Sequence, residues 1–184
     1  MNAKQRALVL EQARHIEDSL KHHLTRARVF GTDKVLGIRT PVKPLVEDLV
    51  FLMQRVHVAR ALQFDTRGVG DCCFRGDDQD LEEMVGNLLD NASKWASSVV
   101  RVHCHTANQR LRLTVEDDGP GIPEDRIEAA LKGVQSDPSR SGQGRGLGIV
   151  ADIVEMYGGR LDLGRSEIGG LRAELQLPGA WACC

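Results

Sequence analysis

The chain has 184 residues, 41% of them hydrophobic, enough to bury one good core and carry one appended element. Its formal net charge of -2 comes from intermixed acids and bases, so it lacks the broad basic surface that nucleic acid or anionic lipid would call for. No apolar run reaches membrane-spanning length, the first residues hold no signal-peptide core, and the cysteines (Cys72, Cys73, Cys104, Cys183, Cys184) have no C-x-x-C spacing, which argues against a disulfide framework or zinc site and for a reducing compartment.

Residues 4–30 read as one long helix, because Val9, Ala13, Ile16, Leu20, His23, Ala27 and Phe30 recur in steps of four and three, the spacing of a helical seam that wants a partner. A glycine-containing loop over 31–38 separates it from the globular part. Thr40 and Pro41 then supply an N-cap and a first-turn proline for a helix running to about Arg60. Short strands are expected at 62–65 and 73–75, with a turn through Gly68, Val69 and Gly70 between them, and Asp77, Asp78 and Asp80 can cap the helix that follows. Residues 99–105 and 111–115 alternate as an antiparallel hairpin that leaves His103 and His105 on one side. A short helix is expected around 126–131, then a polar stretch, then an apolar helix opened by the glycines of 142–148 and closed by Gly158 and Gly159. A second hairpin, 160–163 with 171–177, turns through Gly169 and Gly170.

Three stretches stand out chemically. In the helix over 81–96, Leu81, Met84, Val85, Leu88, Leu89, Ala92 and Ala96 form a buried face, while Glu83, Asn87 and Asn91 stack four residues apart on another side. Asparagine is a poor mid-helix residue, and side-chain oxygens on a rigid element suit a hard cation such as Mg²⁺; a solvated polar face is the alternative. Asp118-Gly119-Pro120-Gly121 ends a strand with a carboxylate at a tight turn, able to accept from an exocyclic amino group, or simply an acidic surface turn. Gly142, Gly144, Gly146 and Gly148 lead into a helix, putting bare N–H groups and a positive dipole end together as an anion site, or forming a flexible hinge.

In this order and spacing, E-x-x-x-N-x-x-x-N, D-G-P-G and G-x-G-x-G-L-G resemble the N, G1 and G2 boxes of the ATP-binding domain shared by sensor histidine kinases, gyrase-type topoisomerases and MutL. V-G-N-L-L-D-N-A-S-K-W, V-E-D-D-G-P-G-I-P and S-R-S-G-Q-G-R-G-L-G-I are most similar to the PhoQ-type sensor kinases of two-component systems, and L-E-Q-A-R-H-I and L-T-R-A-R resemble the second helix of their dimerisation hairpin. The resemblance implies an α+β fold, a two-layer α/β sandwich of the Bergerat type with helices on one face of a mixed, mostly antiparallel sheet, preceded by one long helix. It divides the chain into residues 1–31 of a phosphoacceptor hairpin, a catalytic ATP-binding domain over 32–180, and a tail over 181–184.

The resemblance further implies that Asn87 and Asn91 hold Mg²⁺ against the triphosphate, that Glu83 orients or deprotonates the attacking group, and that Lys94 contacts phosphate while Trp95 flanks the adenine. Asp118 would accept from the adenine, with Gly119, Gly121 and Ile122 shaping that pocket. Gly142, Gly144, Gly146, Leu147 and Gly148 would line the phosphates, and Arg140 would reach the γ-phosphate from a lid. None of the six histidines is followed by an acidic residue and a nearby proline, so the phosphoacceptor helix is expected to be missing from this sequence. The resulting expectation is the catalytic portion of a two-component sensor histidine kinase that uses ATP and Mg²⁺ and does not phosphorylate itself. Its partners would be the histidine-bearing helix of the full-length kinase, a response regulator and, as a homodimer, a second copy; nucleic acid would not be one. The portion would face the cytoplasm below an inner-membrane sensor. The rivals are a free-standing Ser/Thr kinase or ATPase of the same superfamily, and a nucleotide-binding module without catalysis.

Overall fold

The computed structural model describes residues 38–132 and 146–180. The helix expected over 4–30, the polar stretch before the glycine-rich run, the first glycines of that run, and the tail lie outside the described residues.

A seven-stranded sheet forms one layer, built from β1 (Thr40–Pro41), β2 (Gln63–Val69), β3 (Cys73–Phe74), β4 (Val99–Ala107), β5 (Arg110–Asp117), β6 (Arg160–Arg165) and β7 (Leu171–Ala180). Its order is β1-β3-β7-β5-β4-β2, with β6 also on β7. Among the described residues only the β2–β4 pair is parallel. β7 is the hub: β5 covers one edge, while the other is divided between β6, along 171–176, and β3, at Gly179 and Ala180.

Strand alternation decides which face is buried. In β4, β5 and β7 the inward residues Val102, Val115 and Ala173, then Cys104, Leu113 and Leu175, stand in register as cross-strand rows, each almost fully buried. The opposite face carries His103, His105, Arg112 and Glu174 toward solvent, with Arg112 Nη1 3.4 Å from Glu174.

Against the apolar face lie α1 (Val42–Val56), α2 (Asp78–Trp95) and α4 (Gly146–Met156), with α3 (Glu124–Leu131) beside α4. α1 buries Val42, Val46, Leu49, Val50 and Met53, one stripe at helical spacing. α2 is central, packed on α1, α4 and β5 through Leu81, Met84, Val85, Leu88, Leu89 and Ala92. This is the two-layer architecture expected, with the mixed sheet on one side and the helices on the other.

Four local expectations change. Thr40 does not cap α1; its hydroxyl donates to the Gly76 carbonyl at 2.9 Å, and Pro41 occupies the cap position. α1 ends at Val56, and a separate 3-10 turn, Val58–Arg60, follows. Gly68 and Val69 are strand residues rather than a turn, because β2 pairs in parallel with β4 instead of folding back on β3. The β2–β4 register slips between Asp65 and Gly68, and Gly68 carries no side chain where the His103 ring lies. Cys73 is disulfide-bonded, which corrects the expectation of wholly reduced cysteines, while Cys72 and Cys104 are buried free thiols.

The cross-strand rows set a stability test. Leu113→Ala should cost about 2–5 kcal/mol in urea unfolding, since Leu113 is fully buried and leaves a cavity. His105→Ala, one strand away on the open face, should stay within about 0.5 kcal/mol of wild type. Equal losses for the two would contradict the face assignment.

Candidate functional site

α2 carries the polar side chains, and each of its ends is fixed. At the N-terminus, Asp77 accepts from the Gln79 N–H at 2.9 Å as a side-chain cap. Tyr157, just after α4, donates its hydroxyl proton to Asp80 and accepts from the Asp77 N–H at 3.2 Å, so α4 is tied to the start of α2. Burial and the hydrogen bond to Asp80 raise the Tyr157 phenol well above its ordinary range, which keeps it a donor.

Between these ends Glu83, Asn87 and Asn91 are half-buried along one side, as helical spacing requires. Asn87 donates its amide N–H back to the Glu83 carbonyl at 2.7 Å, which leaves Oδ1 as its available acceptor. That oxygen stands 2.9 Å from where a Cβ on Gly146 would lie. Glycine at the first position of α4 therefore lets the glycine-rich end of that helix meet the asparagine face of α2. Leu147, 6% exposed, seats the same turn of α4 in the core, and Gly148 follows it half-exposed. Lys94 is exposed and donates to Asp90, whose other oxygen is 3.4 Å from His57 Nε2.

The aspartates ending β5 have different tasks. Asp118, carried over as the adenine acceptor, turns its carboxylate onto the start of β4. It accepts from the N–H groups of Ser97 at 2.7 Å, Ser98 at 2.9 Å and Val99 at 3.0 Å, and from the Ser98 hydroxyl at 2.6 Å. Desolvation would raise this carboxyl, but those hydrogen bonds, led by the Ser98 hydroxyl, outweigh it and hold it at about 2. Asp117 is 1% exposed, and its Oδ1 accepts from Gly119 N–H at 2.8 Å and Leu171 N–H at 3.3 Å. Burial pushes the Asp117 carboxyl up, against the pull of Gly119 and Leu171, and the charge of Asp118 adds to the rise. Around it the backbone comes very close: a Cβ on Gly170 would collide with Asp117, and one on Gly119 with the Trp95 carbonyl. Gly121 adopts φ 73°, with the Gly170 carbonyl 3.2 Å from its would-be Cβ.

The fold thus brings Asn87 to Gly146, the Trp95 carbonyl to Gly119, and Gly121 to Gly170, while Glu83 and Asn91 flank Asn87 along α2 and half-buried Ile122 packs on the core. Arg140, Gly142 and Gly144 lie outside the described residues. Asp117 and Gly170 were missed. Strand phase would have found the first, since Leu111, Leu113, Val115 and Asp117 share the inward parity of β5 and Asp118 does not. Gly170 comes from a turn more than fifty residues away, which no local pattern signals.

Comparison with known proteins bears on the fold and the family. Residues 76–180 match the model of the histidine kinase-, DNA gyrase B-, and HSP90-like ATPase family. The chain is 40% identical over 91% of its length to the sensor protein kinase CarS of Pseudomonas aeruginosa, and 32% identical over 91% to the sensor protein PhoQ of Escherichia coli. It spans 38% and 35% of the length of those two relatives. The solved structure of the mycobacterial sensor histidine kinase MprB superposes with a TM-score of 0.69 at 26% identity, covering 77% of this chain and 98% of that one. These similarities do not favour the Ser/Thr kinase, ATPase or non-catalytic readings. The chain belongs to the histidine kinase-, DNA gyrase B-, and HSP90-like ATPase family, and within it carries the ATP-binding catalytic domain of a sensor histidine kinase.

Proposed function

We propose that this domain binds ATP with Mg²⁺ and transfers the γ-phosphoryl group to a histidine on a helix that this sequence does not contain. The observation that carries the reading is the meeting of Asn87 Oδ1 with Gly146, which puts a hard oxygen donor beside the N-terminus of α4. The donor set fits the metal: Asn87 has its amide nitrogen already committed to Glu83, and Asn91 stands one turn further on. When bound, Mg²⁺ neutralises charge on the phosphates during transfer. Glu83, a turn before Asn87, orients the attacking imidazole or takes its proton, and Arg140 meets the γ-phosphate. The first turn of α4 directs its positive end at the phosphates, and Lys94 adds a cation.

The adenine acceptor is better assigned to Asp117 than to Asp118. Both donors to Asp117 fall on Oδ1, so among the described residues Oδ2 is left for a ligand amino group, whereas Asp118 is used up by residues 97–99. In the whole protein the catalytic portion would belong to a homodimeric sensor in the inner membrane, facing the cytoplasm and passing phosphate to a response regulator. No helix among the described residues is long and apolar enough to cross a membrane.

Calorimetry separates the two aspartates. Asp117→Asn should weaken Mg²⁺–ATP binding by about 10- to 100-fold, the scale of one hydrogen bond to a charged acceptor. Asp118→Ala should bind like wild type and instead lose about 1 kcal/mol of stability, as a lost cap in a solvent-screened place does. If Asp118→Ala loses the affinity and Asp117→Asn keeps it, the assignment is reversed.

The Asp118 difference carries a pH signature. Folding lowers this carboxyl from about 4 to about 2, so its contribution is complete above the unfolded value and vanishes as pH falls through the folded one. Wild type and Asp118→Ala should therefore converge in urea midpoint between about pH 4 and pH 2. A difference that stays constant down to pH 2 contradicts the cap.

Phosphoryl transfer requires an imidazole held in line with the γ-phosphate, and none of the six histidines is followed by an acidic residue and a nearby proline. With γ-labelled ATP the chain should remain unlabelled, and a separate polypeptide carrying a kinase histidine helix should take the label. Acid-labile label on this chain alone overturns the missing-acceptor reading; phosphate release with neither chain labelled favours an ATPase.

A further inference from the structure

The last turn of α2 is held by a residue outside every nucleotide motif. A helix leaves its final carbonyls without intrahelical partners, and α2 has no C-terminal glycine to turn the chain and satisfy them. Ala92 O is used by the Ala96 N–H at 2.8 Å. Arg60 takes three others: Nη1 donates to Ser93 O at 2.8 Å and to Lys94 O, and Nη2 donates to Ala96 O. A planar fork of N–H donors suits three clustered carbonyls, and its charge opposes the negative end of the helix dipole.

The local backbone is shaped for this reach. The 3-10 turn Val58–Arg60 ends at Ala61, which adopts φ 49° and ψ 39°, a left-handed conformation unfavourable for alanine. From the same turn His57 approaches Asp90, the partner of Lys94. On the other side, Gly119 packs directly on the Trp95 carbonyl, with Asp117 Oδ1 2.9 Å from the position its Cβ would take. The backbone bearing Lys94 and Trp95 is therefore clamped between Arg60 and the turn that follows β5.

We infer that Arg60 is a positioning residue for nucleotide binding, fixing the last turn of α2 so that Lys94 and Trp95 are presented in register with Asp117; this rests on the ATP-binding reading above. Loosening the clamp lets that turn fray and changes where an aromatic flank and a phosphate-facing cation sit, while the buried face of α2 stays packed.

The test measures Mg²⁺–ATP affinity by calorimetry, and Trp95 emission on adding ATP in a Trp181→Phe background, for wild type, Arg60→Ala, Arg60→Gln and Arg60→Lys. Arg60→Ala should weaken binding by about tenfold, as loss of a supporting group typically does, with a reduced Trp95 response. Arg60→Lys should recover part of both, and Arg60→Gln less. A role confined to stability moves the urea midpoint without altering the Trp95 response at saturating ATP, and that result overturns the inference. If Arg60→Ala does not fold, Arg60→Gln decides: wild-type affinity and emission in that variant overturn it. Absence of ATP binding by wild type overturns the ATP reading and this one with it, whereas wild-type binding with unaltered variants overturns this one alone.

Discussion

Taking the Asp117 carboxylate out of water is the constraint that shapes one end of this domain. A buried carboxylate is costly unless donors face it, and here they come from the backbone of two separate turns, through Gly119 and Leu171. Backbone donors reach a side chain only where neighbouring residues leave room. Gly119 and Gly170 leave it by having no Cβ, and Gly121 by a positive φ that brings the chain back against Gly170. The hairpin of β6 and β7 and the turn after β5 are thereby locked together, with Gly170 N–H donating to the Asp117 carbonyl at 3.0 Å as well. Enlarging any of these glycines disturbs the acid and its surroundings at once.

α2 transmits this order to the opposite end. Its N-terminus is held by Asp77 and by Tyr157 from beyond α4, and its C-terminus by Arg60 and the Gly119 turn. Between them the apolar residues bind α2 to the sheet, so the asparagine face has little freedom of its own. The Phe74 ring meets Tyr157 edge-on at 4.8 Å, and Gly76 makes room for both, which extends the N-terminal fixture into β3.

The sequence reading reached the elements and the polar side of α2 because both depend on short-range periodicity. Glu83, Asn87 and Asn91 are four apart, and helical geometry alone aligns them. The alternation of β4 and β5 likewise showed the hairpin and the exposed His103 and His105. What failed depended on distant pairing. Gly68 and Gly70 have turn composition, and nothing within ten residues reveals that β2 runs parallel to β4, a strand reached only after the whole of α2. Thr40 looks like a cap until Gly76 claims its hydroxyl. The sequence reading placed the acceptor at Asp118; the proposal of Asp117 in its stead rests on strand phase, which the alternation from Leu111 carries, and on the backbone donors that face it. Arg60 resembles any charged helix-end residue in sequence, since its partners are carbonyls more than thirty positions away.

The sheet terminates at β2, whose outer edge has no strand partner among the described residues. An open edge is a template on which another chain can add a strand, and β2 is badly suited to serve as one. Its register slips at mid-strand, Arg67 and Asp65 are engaged with each other at 2.9 Å rather than in apolar contacts, and Gly68 weakens the extended conformation. The domain therefore ends in a border that discourages edge-to-edge addition, so that aggregation through the sheet is suppressed.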